Sequence, residues 1–167
     1  MKGIIGSANI DTNSRLCMSS SLSRYKRAFG SDTVPRGYED FEQADLLVLV
    51  GSNLASCHPV LFQRISAAKD KRPQLKIVVI DPRHTPTCEI CEIADTHFHL
   101  AIKSGSDAWL FNGLLDFIRR NDQEKSTQKF ASALQAVPVS NVPTVAQQCG
   151  LDEQQIINFF RLVPKKS

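Results

Sequence analysis

No apolar run in this chain approaches the roughly 20 consecutive residues that a membrane-crossing helix needs, so a membrane-spanning protein is not expected. The glycine-rich fingerprint G-x-G-x-x-G is missing, as is any Walker-type GK[ST], which speaks against nicotinamide hydride transfer and nucleotide hydrolysis. Neither a Ser-His-Asp order in sensible context nor an H-E-x-x-H can be assembled, and hydrolase chemistry therefore has no basis in the sequence. Basic residues are scattered: the net charge is +3, and pairs such as Arg119-Arg120 and Lys165-Lys166 do not make a stripe that could track phosphates. Nucleic acid is not an expected partner. The N-terminus, Met1-Lys2-Gly3-Ile4-Ile5-Gly6, lacks the apolar core and cleavage pattern of a secretory signal. Five cysteines, an odd number, argue for a reducing, cytoplasmic compartment rather than a disulfide framework.

What is present is the composition of a soluble domain, with 42% hydrophobic and 22% charged residues over 167 positions, enough for one core of ordinary size. Residues 1–16 show no clear period and read as an extended or looped lead-in. From Ser19 to Phe29 the pattern fits a short helix with Leu22, Tyr25, Lys26 and Phe29 on one face and Gly30 as its stop. A brief helix through Tyr38–Ala44 leads to Leu46-Leu47-Val48-Leu49-Val50, an apolar run bounded by Asp45 and Gly51 that reads as a strand buried on both faces. A crossover helix begins at Pro59 and breaks at Arg72-Pro73; Leu75–Ile80 is a second buried strand, and Phe98–Ile102 a third, shorter one. A helix over Ala108–Arg120 follows. Alternation of strand and helix predicts an α/β fold: a three-layer, open, mostly parallel, Rossmann-like sheet that binds ligands beyond the carboxyl ends of its strands. Past Asn121 the composition turns polar, and helices are predicted near Thr127–Ala136, Pro143–Cys149 and Asp152–Leu162, with Asp152 as a cap. The expected organisation is a ligand-binding α/β domain over 1–121 and a helical tail over 122–167 packed on it or leading out of it.

Chemistry concentrates at a few places. Cys17, expected at the start of the helix that begins in Ser19-Ser20-Ser21, is placed where unpaired N–H groups favour a thiolate, making it a candidate metal ligand. Burial as an ordinary packing cysteine is the bland alternative. Gly51-Ser52-Asn53 after the first strand offers N–H groups, a hydroxyl and a carboxamide to a phosphate or ribose. Asp81, in the turn Asp81-Pro82-Arg83, could accept from a ribose diol, and Asp107 from the N–H edge of guanine; alternatively, Asp81 starts a turn and Asp107 caps a helix. His58-Pro59 could meet a ligand or simply precede a helix. Cys88-Glu89-Ile90-Cys91, with His97 and His99 nearby, invites a zinc reading, but His-x-His is closer than usual spacing and no second C-x-x-C completes a site. A redox role is disfavoured, because the pair lies in an irregular crossover rather than at a strand-to-helix turn.

Asn9 through Ser20, Leu46–Val50 with Gly51-Ser52-Asn53-Leu54-Ala55 and His58-Pro59, then Asp81-Pro82-Arg83, Ile93-Ala94-Asp95 and Gly105-Ser106-Asp107, taken in this order, resemble the molybdopterin oxidoreductases, and within them the catalytic subunit of bacterial assimilatory nitrate reductases. The resemblance covers roughly residues 3–121, with the tail from Phe130 to Leu162 similar to the segment that follows. It implies that Cys17 binds molybdenum and is catalytic, and that Asn13 is a nearby cofactor contact. It further implies that Val50, Gly51, Ser52, Asn53, Leu54, Cys57 and His58, with Asp81, Pro82, Arg83, Gly105, Ser106 and Asp107, contact one of two molybdopterin guanine dinucleotides. A thiolate suits so soft a metal centre. The implied activity is reduction of nitrate to nitrite, with a 4Fe-4S cluster held elsewhere and electrons from a donor protein or reductase subunit. The implied partners include the remaining domains of the enzyme, without which the chain is expected to be inactive. Two alternatives stand beside it: a formate dehydrogenase within the family, and a stand-alone nucleotide- or zinc-binding module. The repeated Cys-Glu-Ile of residues 88–93 departs from the family pattern, reads as a loop insertion, and puts the contacts of Thr85 in question.

Overall fold

The computed structural model describes residues 2–9, 14–92, 98–121 and 140–163. They fall into two compact units, 1–37 and 38–167.

In the first unit, α1 (Lys2–Ile5) and α2 (Ser14–Cys17) are single turns, and α3 (Ser19–Phe29) is the one helix of length. Gly30 stops α3 as expected: it is left-handed at φ 78°, and its N–H donates to the Lys26 carbonyl. The apolar face forms, with the Tyr25 and Phe29 rings 6.0 Å apart, but no residue of α3 is buried. The expected lead-in over 1–16 is therefore partly helical, in turns too short to hold themselves.

The second unit is built on β1 (Leu46–Val50), β2 (Lys76–Ile80) and β3 (His99–Leu100), in the order β1-β2-β3 and parallel throughout. Leu46 to Val50 pair with Lys76 to Ile80, and only Val79 and Ile80 find partners in β3, which is shorter than its predicted five residues. Because side chains alternate along a strand, adjacent residues of β2 serve different cores. Val78 and Ile80 join Leu100, Leu110, Val145, Ile156, Phe159 and Phe160 on one face; Ile77 and Val79 join Leu47, Leu49, Ile65, Cys88 and Ile90 on the other. Fully burying each of the larger side chains is worth about 1.5–3 kcal/mol, and these two cores hold the three layers together.

Helices α4 (Tyr38–Gln43), α5 (Leu54–Cys57), α6 (Pro59–Lys71) and α7 (Glu89–Glu92) belong to the β1 side. Pro59 occupies the first turn of α6 as predicted, whereas α5 was not foreseen. The crossover into β2 is fastened by charge buried with partners: Lys69, 5% exposed, donates Nζ to the carbonyls of Pro73 (2.8 Å) and Leu75 (2.6 Å). Arg72 donates to the carbonyls of Glu42 and Ala44 and pairs with Asp45.

The opposite face is covered by α8 (Asp107–Asn121), α9 (Val142–Cys149) and α10 (Glu153–Leu162). Asp152 caps α10 in a reciprocal box with Gln155, and Asn141 caps α9 by accepting from the Thr144 N–H. The helices of 140–163 thus supply half of one core. Gly113 allows α8 to approach α9: a Cβ there would lie 2.6 Å from Val145 Cγ2. The helix predicted over Thr127–Ala136 lies outside the described residues, and among those described no helix is long and apolar enough to cross a membrane.

Candidate functional site at the carboxyl edge of the sheet

Three parallel strands put the turns after β1, β2 and β3 at one edge, as the alternation of elements required. In the first, Gly51 takes φ 57°, a left-handed conformation that suits glycine, and its N–H donates to the Ile80 carbonyl at 2.8 Å. The following N–H groups are also engaged: Ala55 donates to Thr87 Oγ1 (3.1 Å), and Ser56 and Cys57 to the Asn53 carbonyl. The N–H groups of Gly51, Ala55, Ser56 and Cys57 are therefore taken up within the protein. The loop also presents an acceptor. Asn53 Oδ1 is buried with no hydrogen-bond partner, and its side chain does not cap α5.

The second turn repeats the arrangement. Asp81, 3% exposed, accepts the Arg83 N–H on Oδ1 at 2.8 Å, so it does start a turn, and Arg83 Nε stands 3.7 Å from the same oxygen. Pro82 and Arg83 are exposed. Among the described residues, Thr85 Oγ1 is the other buried side-chain nitrogen or oxygen without a partner. Burying a polar group unmet costs about 1–3 kcal/mol, so two on neighbouring turns, linked through Ala55 and Thr87, need an explanation. Asn53 Oδ1 can only accept and fits a ligand O–H or N–H, as in a ribose diol or the guanine edge, while the Thr85 hydroxyl can accept or donate and so meets a hydroxyl or a phosphate oxygen.

The third turn is braced by the tail. The Lys103 N–H donates to the Cys149 carbonyl, Ser106 Oγ to the Lys103 carbonyl at 2.6 Å, and Cys149 Sγ to the Ser106 carbonyl at 3.7 Å. Burial pushes the Cys149 thiol above its ordinary range. Gly105 is left-handed at φ 80°, and Asp107 is exposed in the first turn of α8.

The remaining predicted residues are dispersed. Leu54 is buried in the β1-side core, while Val50 and Cys57 are exposed. His58 bridges α5 and α6 and lines a cavity of about 370 Å³ with Tyr38, Val60 and Arg64. Cys17 is exposed and belongs to the first unit, as the last residue of α2 and one position ahead of Met18, the N-cap of α3. Asn13 lies outside the described residues.

Cys88 and Cys91 do not sit in an irregular loop. They flank the junction of a 3-10 turn (Pro86–Cys88) with α7, and Cys88, Ile90 and Cys91 are 0–4% exposed within the β1-side core. These three residues are thus packing material. Cys88 groups with His84 and His99, not with Cys91, and the sequence reading overlooked His84. His97 lies outside the described residues.

Comparison with known proteins agrees with this architecture. The chain is 52% identical over 96% of its length to a nitrate reductase of Klebsiella oxytoca, and 46% identical over 97% to one from Shewanella frigidimarina. It spans about 18% of the length of each. The structure of acetylene hydratase from Pelobacter acetylenicus matches 97% of the chain, and 22% of that protein, at a TM-score of 0.70 and 24% identity, a likeness of fold. A family model described as molybdopterin oxidoreductase matches residues 1–158, and the chain belongs to that family.

Proposed function

We propose that this chain is the α/β cofactor-binding portion of a cytoplasmic molybdenum nitrate reductase, and that it holds one guanine dinucleotide of a bis(molybdopterin guanine dinucleotide) cofactor along the carboxyl edge of the sheet. The observation that carries the reading is the pair of buried, unpartnered oxygens, the acceptor Asn53 Oδ1 and the hydroxyl Thr85 Oγ1, on adjoining turns of that edge. Supported by family membership and the nitrate reductase relatives, the assignment places Asn53, Asp81 and Thr85 as acceptors for ribose and guanine donors. Asp107, exposed at the head of α8, offers a carboxylate to the same class of group. Gly51 and Gly105 have open space where a Cβ would stand, and the backbone can approach a ligand closely there.

Cys17 is the thiolate ligand to molybdenum, and Asn13 is a contact of the same cofactor. The cofactor supplies a metal centre able to take an oxygen atom from nitrate. The part of this chain is to bind, orient and ligate. The other pterin, a 4Fe-4S cluster and the docking site of the electron donor belong to further parts of the enzyme, and the 167 residues alone do not reduce nitrate. In this reading residues 1–121 form the dinucleotide-binding domain, and the helices after 121 stiffen its third turn.

The test is Cys17→Ser in the complete enzyme, followed by X-ray absorption at the molybdenum edge and by nitrate reduction. Loss of a sulfur neighbour with loss of activity is expected. Unchanged sulfur ligation with full activity would show that Cys17 is not the ligand.

A further inference from the structure

We propose that His84, Cys88 and His99 form a binding site for a borderline-soft divalent metal of the Zn²⁺ type. The three come from separate segments: the turn after β2, the end of the 3-10 turn, and the start of β3. One ligand atom from each lies within 4.8 Å of the others. Zn–N and Zn–S bonds of about 2.0–2.3 Å set ligand atoms about 3.5 Å apart in a tetrahedron, so small side-chain rotations suffice to close the site. Two imidazoles and one thiolate favour Zn²⁺ or Co²⁺ over Mg²⁺ or Ca²⁺, which take oxygen ligands.

The surroundings of the group match what a metal-binding histidine needs. His99 Nε2 is 2.9 Å from the Asp81 carbonyl, which can only accept. Nε2 therefore carries the proton, and Nδ1 keeps the lone pair; such a second contact fixes tautomer and ring orientation in metal sites. The two imidazole rings stand edge to face, with centroids 5.4 Å apart at 84°. Cys88 is fully buried, His99 half-buried and His84 exposed, so the group opens from the core to solvent. Three protein ligands leave a fourth position on the solvent side for water.

Packing alone accounts for a buried cysteine but not for two imidazoles converging on its sulfur. The C-x-x-C pattern is incidental to this site, because Cys91 is outside the group. An occupied site would clip the turn carrying Asp81 to β3, a role that does not depend on the pterin assignment.

Co²⁺ titration of the full 167-residue chain tests the proposal, in a Cys17→Ser/Cys57→Ser background so that the exposed thiols contribute nothing. A single Co²⁺ per chain is expected, with a thiolate charge-transfer band in the near ultraviolet, tetrahedral d–d bands in the visible, and displacement by Zn²⁺. The charge-transfer band should vanish in Cys88→Ser, persist in Cys91→Ala, and require at least about tenfold more Co²⁺ in His84→Gln. Since Cys88 is in the core and its replacement risks unfolding, the surface variant His84→Gln, with its fold checked by circular dichroism, carries the decision. Absence of the band in the parent, its survival in Cys88→Ser, its loss in Cys91→Ala, or unchanged affinity in His84→Gln would overturn the site.

Discussion

In residues 1–37 the helix α3 separates polar from apolar side chains as well as α10 does in residues 38–163, yet α3 buries nothing, while α10 buries Ile156, Phe159 and Phe160 completely. Both helices have a stop or a cap where the sequence called for one. The difference is what each faces: α10 meets β2 and α8, whereas the first unit contains no buried residue among those described. Amphipathic pattern writes a helix; a second surface stabilises it.

The strongest way to break this contrast is to truncate one aromatic in each region. Phe160→Ala should cost the second unit about 3–5 kcal/mol in denaturant unfolding, and Phe29→Ala no more than about 0.5 kcal/mol. Equal losses would mean that α3 has a core after all. A smaller effect probes the closeness of packing: Gly113→Ala gains helix propensity but forces a methyl onto Val145 and Phe160, and a net loss of about 1 kcal/mol is expected by thermal or chemical unfolding. The smallest concerns alkaline pH. With its proton held more tightly when folded, Cys149 contributes stability that is lost as pH rises beyond the ordinary thiol range, because the unfolded chain releases that proton first. Unfolding free energy measured against pH should therefore fall less steeply in Cys149→Ala than in the parent, and a steeper fall would contradict the burial of that thiol.

Much of the second unit was legible from residues alone. Leu46–Val50 and Ile77–Ile80 are continuous apolar runs because they are covered on both sides, and Asp152 with Gln155 three residues on announced the start of α10. The β3 strand was overextended because Phe98, Ala101 and Ile102 are apolar without pairing as strand; the Ile102 N–H turns back to the Leu100 carbonyl. Likewise the position of the candidate site followed from topology, but its character did not. That the Ala55 N–H is spent on Thr87, and that two oxygens among the described residues are buried without partners, depends on contacts between turns about 30 residues apart in sequence. The grouping of His84 with Cys88 and His99 was hidden for a similar reason: no local spacing links a turn, a 3-10 turn and a strand. Reading Cys88–Cys91 as part of an irregular crossover failed because apolar Ile90 and the two thiols found a core to fill.

The five residues of β2 are a party wall between two rooms that otherwise share little. Val78 answers to the aromatic cluster of Phe159 and Phe160, and Val79, one step along the chain, to Ile65 and Leu49. A single-residue deletion within Lys76–Ile80 would hand each tenant to the wrong side, turning both interiors into mismatches at once.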